Sequence, residues 1–423
     1  MRACLSKLGL TVSEETQVFP QLSALHLCSA TPGVVSNLVH TWHDEKLISK
    51  DGNDEVILGE NDTFQLSEGT TSDMDAIAKA IKEANPSRDD AFVVPDYNAQ
   101  IKHLIAHDKA SPTTSEHLPF SHTAFFSNLA EYNSQFTTPH AFGQTLLYGQ
   151  TVTSTSTLLE KNPTLLSTLP TGTTATATRQ VAGRGRGTNV WVSPPGSLMF
   201  STVMRHSMAL SHHAPVVFIQ YIAALAIHSG IHNYAAGYEN LPIRLKWPND
   251  IYALDPTKTA QKTSIAAPKR DDYVKIGGIL VNSSYAGGDY TLIPGIGLNV
   301  LNSSPTTSLA TLCTHYNLAP PTLEKLLASI LTRFEKLYTE FCREGFSERF
   351  RSTYYEAWLH EGQIVTLEQE GGVRARIRGV TRDWGLLIAE ELGWEDRATG
   401  RVWELQSDSN SFDFFRGLVR RKI

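Results

Sequence analysis

With 423 residues, 41% hydrophobic and 19% charged, the chain has the size for two or three domains and too much apolar content for global disorder. A formal net charge of −6 excludes a general nucleic-acid footprint, and residues 1–130, with 9 Lys and Arg against 18 Asp and Glu, exclude a DNA-binding module there. Four scattered cysteines (Cys4, Cys28, Cys313 and Cys342) make no C-x-x-C pair, which excludes a zinc site or a disulfide framework and leaves reduced thiols.

Few elements are legible in residues 1–130. "DMDAIAKAIKEAN" (73–85) has Ile77, Ala80 and Ile81 at helical spacing, and "DAFVVPDY" (90–97) reads as a strand stopped by Pro95. "HDKASPTTSEHLPFSH" (107–122) has the composition of a linker. "GQTLLYGQTVTSTSTLLEKNP" (143–163) predicts a strand, a turn and a helix from near Ser156. Residues 214–228 predict a buried or strongly amphipathic helix. Their longest apolar run, 14 residues with Gln220 inside, falls short of the roughly 20 that a bilayer needs. No apolar segment of signal-peptide type follows Met1, so the chain reads as soluble and cytoplasmic.

"IRLKWPNDIYAL" (243–254), "KIGGILVNSSY" (275–285) and "YTLIPGIGLNV" (290–300) read as strand–turn units. A polar insertion (255–272) lies between the first two. Residues 322–341 put Leu323, Leu326, Leu327, Ile330, Leu331, Phe334, Leu337, Tyr338 and Phe341 on one helical face, and a second helix follows in 348–360. From 362 to 405 short strands alternate with "EGG", "RDWG" and "ATG" turns, the pattern of a small barrel or sheet.

The most chemically suggestive stretch is "GRGRGTNVWVSPPGSLMFS" (183–201). Gly183, Gly185 and Gly187 bare the backbone N–H groups, and Arg184 and Arg186 bring permanent positive charge and forked donors. Such a loop suits closure over an anion, but an arginine–glycine tract or an ordinary solvated loop has a similar composition. A dinucleotide fingerprint is less apt, because no G-x-G-x-x-G opens a helix here.

Taken in order, "GRGRG", "LKWPNDIY" (245–252), "KIGGILV" (275–281) and "GIGLNV" (295–300) resemble the biotin protein ligases. "TSTSTLLEKN" (153–162) and "NSFDFFRGLVRRK" (410–422) are similar to the eukaryotic, particularly fungal, members. The resemblance covers roughly residues 145–423. It implies an α+β fold: a mixed α/β catalytic domain like that of class-II aminoacyl-tRNA synthetases (131–360), a small C-terminal β-barrel (361–423) and a separate N-terminal region (1–130). Larger fungal relatives carry an amidotransferase-like region at the N-terminus, but residues 1–130 have no glycine-flanked nucleophile cysteine. The repressor members carry a helix-turn-helix, which the acidic, longer region here does not match.

The implied chemistry is ATP-dependent activation of biotin as biotinyl-5′-AMP, with Mg²⁺. Transfer follows to a lysine on the biotin-carrier domain of carboxylases such as acetyl-CoA carboxylase and pyruvate carboxylase, with no nucleic acid or membrane partner. By position, the resemblance implies that Ser154, Thr155, Gln180, Gly183, Arg184 and Gly278 contact biotin. Arg186 closes over the adenylate, and Lys275 reaches both the biotin carboxylate and the α-phosphate. Lys246, Asn249 and Asn299 line the nucleotide side, and Asp250 orients the incoming amine or helps hold Mg²⁺. Other readings stand beside these. Ser154 and Thr155 suit a helix N-cap, Asp250 an Asx turn, and Trp191 and Trp247 core packing. His206, His212 and His213 read as structural or surface residues. Lys275, beside an apolar strand, calls for an anionic partner. A lipoate or octanoate ligase and a non-catalytic biotin-binding sensor are the rival functions.

Overall fold

The computed structural model describes residues 19–52, 54–69, 95–112, 118–137, 140–260, 269–302, 306–407, 410–413 and 418–421. The helix expected over 73–85 and most of the strand expected over 90–97 lie outside them.

A thirteen-stranded sheet organises most of the chain. Its order is Ile243–Lys246, Asp250–Leu254, Tyr273–Ala286, Asp289–Asn299, Ser197–Thr202, Thr174–Gln180, Thr145–Val152, Leu25–Ser29, Lys102–Ala106, Thr63–Glu68, Asp54–Leu58 and Ile48–Asp51. Met204–Ser207 pairs off this path with Asp289–Asn299. Thr145–Val152 runs parallel to Thr174–Gln180, and Lys102–Ala106 runs parallel to both of its neighbours; the other pairs are antiparallel. The N-terminal region thus supplies the last five strands of one continuous sheet. The joint is Leu25–Ser29, paired along its length with Thr145–Val152.

Alternation along Thr145–Val152 divides the core. Leu146 and Tyr148 point to one face, and Leu147 points to the other. On the first face lie the helices Ile219–His232 and Leu323–Glu344, joined by a hydrogen bond from Ser329 Oγ to the Gly230 carbonyl (2.9 Å). The expected apolar stripe of Leu323–Glu344 is the buried one: Leu326, Leu327, Ile330, Leu331, Phe334 and Phe341 are all inaccessible. The helix expected from residue 214 begins instead at Ile219. Pro215 disfavours helix in the residue before it, and Val216–Phe218 forms a 3₁₀ turn. On the second face, the short helices Thr155–Glu160 and Pro163–Thr168 bury Leu158, Leu159, Leu165 and Leu166. These leucines share one apolar cluster with Leu27, Trp42, Phe64 and Leu104 of the N-terminal region.

The C-terminal residues form a second, six-stranded sheet in the order Ala398–Leu405, Leu387–Leu392, Val373–Val380, Ile364–Leu367, Leu418–Arg421 and Asn410–Asp413. Ile364–Leu367 and Leu418–Arg421 pair in parallel, and the others are antiparallel. This sheet docks through the Tyr221 hydroxyl, which donates to the Gly385 carbonyl (2.6 Å) and accepts from Trp247 Nε1 (2.8 Å). Among the described residues, no helix is long and apolar enough to cross a membrane.

Three buried histidines sit at the joint between the N-terminal strands and the rest of the sheet. His26 Nδ1 lies 3.0 Å from His107 Nε2, and the His122 ring meets Tyr148 edge-on. Burial, reinforced by mutual repulsion, lowers His26 to about 3; burial chiefly lowers His107 and His122 to about 4. Folding therefore keeps neutral three groups that the unfolded chain protonates below its ordinary value of 6.5. Stability is full above that value and is lost as pH falls towards 4, by about 1.4 kcal/mol per pH unit for each histidine held neutral. The thermal midpoint should fall steadily from pH 6.5 to 4.5, and His107→Gln should flatten that slope. A midpoint independent of pH in this window would contradict the assignment.

Candidate active site

The site grows from the turn after Ile243–Lys246. Asn249 closes that turn against the neighbouring strand: its Nδ2 donates to the Ile279 carbonyl (2.6 Å), and its own carbonyl accepts from the Ile279 N–H (2.9 Å). Asp250 then faces Gly278 across the ladder. A register shift at Ile251/Tyr252 leaves Ile276 as an extra residue on Tyr273–Ala286, and such a bulge re-aims the side chains beside it. Lys275, next to the bulge, places Nζ 2.7 Å from Asp250 Oδ1. Lys246 Nζ stands 3.6 Å from the other carboxylate oxygen. The anionic partner that Lys275 requires is therefore Asp250.

Across the cavity, Ser154 caps Thr155–Glu160, its Oγ accepting from the Thr157 N–H (3.5 Å). Capping does not withdraw Ser154 from the cavity, which it also lines. Gln180 Oε1 accepts from the Thr155 N–H (2.8 Å), and Gln180 Nε2 donates to Ser193 Oγ (2.9 Å). Gln180 thus ties the start of the helix to the far end of the glycine–arginine flap. The flap is a small hairpin: Arg184 bridges Val190, and the Gly185 N–H donates to the Asn189 carbonyl (2.8 Å). Arg184 pairs with Glu160 (2.8 Å). Arg186 reaches over the cavity, with Nη1 3.3 Å from Asn249 Oδ1 and Nη2 3.0 Å from Ser407 Oγ of the C-terminal sheet.

These elements enclose a cavity of about 1180 Å³. Among the described residues, its walls carry Arg184, Arg186, Lys246 and Lys275 against a single carboxylate, Asp250. Ser154, Thr155, Gln180, Asn249 and Gly278 line it as the sequence suggested. Two expected residues do not. Gly183 packs at the flap hinge, its carbonyl accepting from the Trp191 N–H (2.9 Å). Asn299 is buried behind the wall, where its Nδ2 donates to Thr306 Oγ1 (3.0 Å), which in turn donates to the Lys275 carbonyl (2.8 Å). Asn299 therefore braces the strand that carries Lys275.

Trp247 is buried core, as expected, though it also borders the cavity, whereas Trp191 is a wall residue rather than core. The Trp191 ring lies 5.6 Å from Lys275 Nζ, and its buried Nε1 has no partner among the described residues. A Cβ at position 297 would overlap that nitrogen, which explains the glycine there. Ser156 and Ser201, within segments already quoted but not singled out, also line the cavity, as does Ser407, which no motif marks. Among the described residues, no three His, Cys, Asp or Glu side chains converge on a cation site. Asp250, paired with two ammonium groups, does not fit a protein-held Mg²⁺.

A cation-lined cavity over a glycine-floored sheet, closed by an arginine flap, fits the class whose model, the biotin/lipoate A/B protein ligase family, matches residues 148–299. The chain is 40% identical over 288 residues to a biotin–protein ligase of Schizosaccharomyces pombe, covering 66% of this chain and 44% of that protein. It is 32% identical over 307 residues to biotin–protein ligase 2 of Arabidopsis thaliana, covering 70% of this chain and 82% of that one. The chain belongs to the biotin–protein ligases. A solved Aquifex aeolicus biotin protein ligase in complex with biotin and ATP aligns with 66% of this chain and 99% of its own, at 22% identity and a TM-score of 0.46.

Proposed function

We propose that the chain joins biotin to a lysine of biotin-carrier domains in two steps within the one cavity. A biotin carboxylate oxygen attacks the α-phosphorus of ATP, forming biotinyl-5′-AMP and releasing pyrophosphate. The lysine amine then attacks the activated carbonyl carbon, and AMP leaves. The observation that carries this reading is that Arg186 and Lys275 line the same cavity, from opposite elements. The first step brings two anions together, and fixed cations lower its barrier by stabilising the charge that develops. Lys275 faces the reacting oxygens, Lys246 the nucleotide side, and Arg186 the adenylate. Ser154, Thr155 and Gln180 offer hydroxyl and amide groups to the polar ring of biotin. Asp250 holds both lysines in register and, once substrate anions draw them away, can accept from the incoming amine. Any Mg²⁺ arrives on the nucleotide phosphates, and no step here depends on a protein-held ion.

Carboxylase carrier domains are the proposed acceptors and the cytoplasm the proposed location, which suits the free thiols of Cys28, Cys313 and Cys342. Incubation with biotin, Mg-ATP and a carrier domain should add one biotinyl group to the carrier, read by intact mass. Biotin, but not lipoate, should raise the thermal midpoint. A lipoyl adduct would favour the lipoate-ligase alternative, and a biotin-induced shift without pyrophosphate release would favour a sensor.

A further inference from the structure

We infer that a buried polar network in the N-terminal region positions the helix that carries Ser154 and Thr155, making Asp62, Lys102 and Asn162 positioning residues for biotin. The inference rests on the functional reading above. The helix Thr155–Glu160 is only six residues long, too short to hold its own direction. What fixes it lies at its end. Asn162 is fully buried, and its Nδ2 donates both to the Leu158 carbonyl (3.0 Å) and to Asp62 Oδ2 (2.8 Å). Its Oδ1 accepts from the backbone N–H groups of Asn61 (3.2 Å) and Asp62 (3.0 Å).

The other oxygen of Asp62 takes Lys102 Nζ at 2.7 Å, and that ammonium also donates to the Tyr97 and Asn98 carbonyls. Both side chains are almost wholly inaccessible, 3% for Lys102 and 0% for Asp62. The arrangement is a buried ion pair, in which losing one partner leaves a stranded charge. Gly59 permits the approach, since a Cβ there would overlap Asn162 Oδ1. Leu158 and Leu159 lie in the N-terminal apolar cluster, so the helix is gripped by packing as well as by hydrogen bonds.

From this anchor the chain runs back about two turns to the cavity. There Thr155 bonds Gln180 and Ser201, and Ser154 faces the space assigned to the biotin ring. The nucleotide side, built on Lys246, Asn249 and Asp250, is held from other elements, by the pairs of Asp250 with Lys246 and Lys275 and by the bonds of Asn249 with Ile279 and Arg186. The consequence is selective: loosening the anchor should weaken biotin binding and leave ATP binding alone.

The test is steady-state pyrophosphate release by the full chain. Asn162→Ala should raise the biotin KM about tenfold while kcat and the ATP KM stay within about twofold. Asn162→Asp keeps the oxygen that accepts from the Asn61 and Asp62 N–H groups but loses both donated bonds and sets a second carboxylate against Asp62, so it should raise the biotin KM at least as far. Should Asn162→Ala fail to fold, Gly59→Ala displaces Asn162 without removing a hydrogen-bonding group and decides the same question. A wild-type biotin KM in a folded variant with a lowered thermal midpoint would make the network merely structural and overturn the inference. Equal rises in both KM values would do the same. Absence of biotin-dependent pyrophosphate release in the wild type would overturn the functional reading itself, which the variants alone do not touch.

Discussion

Lys275→Ala should reduce biotin-dependent pyrophosphate release by about a thousandfold or more, the scale of losing a preorganised charge that meets the transition state, about 4 kcal/mol. The geometry makes this the largest single effect. Lys275 is the cation nearest Asp250, at 2.7 Å, with Lys246 further off at 3.6 Å. Removing it does more than subtract one positive charge. It leaves Asp250, the only carboxylate among the described residues of the cavity wall, half-compensated and facing two incoming anions. Lys275→Arg retains the charge but replaces a compact ammonium with a planar fork, and should keep only part of the rate. Asp250→Asn in the Lys275→Ala background should recover some activity, because it relieves the repulsion that the first change exposes. Near-wild-type pyrophosphate release by Lys275→Ala would remove this lysine from the mechanism.

Sequence legibility followed the length of the pattern. Leu323–Glu344 spans 22 residues, and its apolar face was readable residue by residue. The turn of Asn249 and the strands holding Asp250, Lys275 and Gly278 were readable because glycine and proline punctuate them. The N-terminal strands were not. Leu25–Ser29 is five residues, all buried, with no alternation to announce a strand, and its partner lies over a hundred residues away. Residue types alone also miss side-chain direction. Asn299 sits in a family-like segment yet turns behind Lys275, while Trp191, whose type suggests core, walls the cavity. Ser407 had no signal at all. Its role comes from the C-terminal sheet bringing a residue distant in sequence to the flap. The Asp62–Asn162 contact spans a hundred residues and was equally invisible in the chain order.

That reach of Ser407 sets the second large effect. Arg186→Gly should leave pyrophosphate release partly intact but let biotinyl-5′-AMP escape, so that lysines on bystander proteins become labelled. Arg186 touches both sides of the cavity mouth, Asn249 at 3.3 Å and Ser407 at 3.0 Å. Each is a hydrogen bond from a charged donor, worth about 1.5–3 kcal/mol, so losing both should speed release of the adenylate by about two to four orders of magnitude. The backbone hairpin at Arg184 and Val190 would survive, because its hydrogen bonds do not involve the Arg186 side chain. The flap would then retain its shape and lose its fastening, which separates leakage from collapse. The measurement is biotin incorporation into a carrier domain and into an unrelated lysine-rich protein in one mixture. Ser407→Ala removes a single fastening and should give an intermediate ratio. If labelling by Arg186→Gly stays confined to the carrier while pyrophosphate release continues, retention of the adenylate does not depend on this arginine, and the flap must hold it by backbone contacts instead.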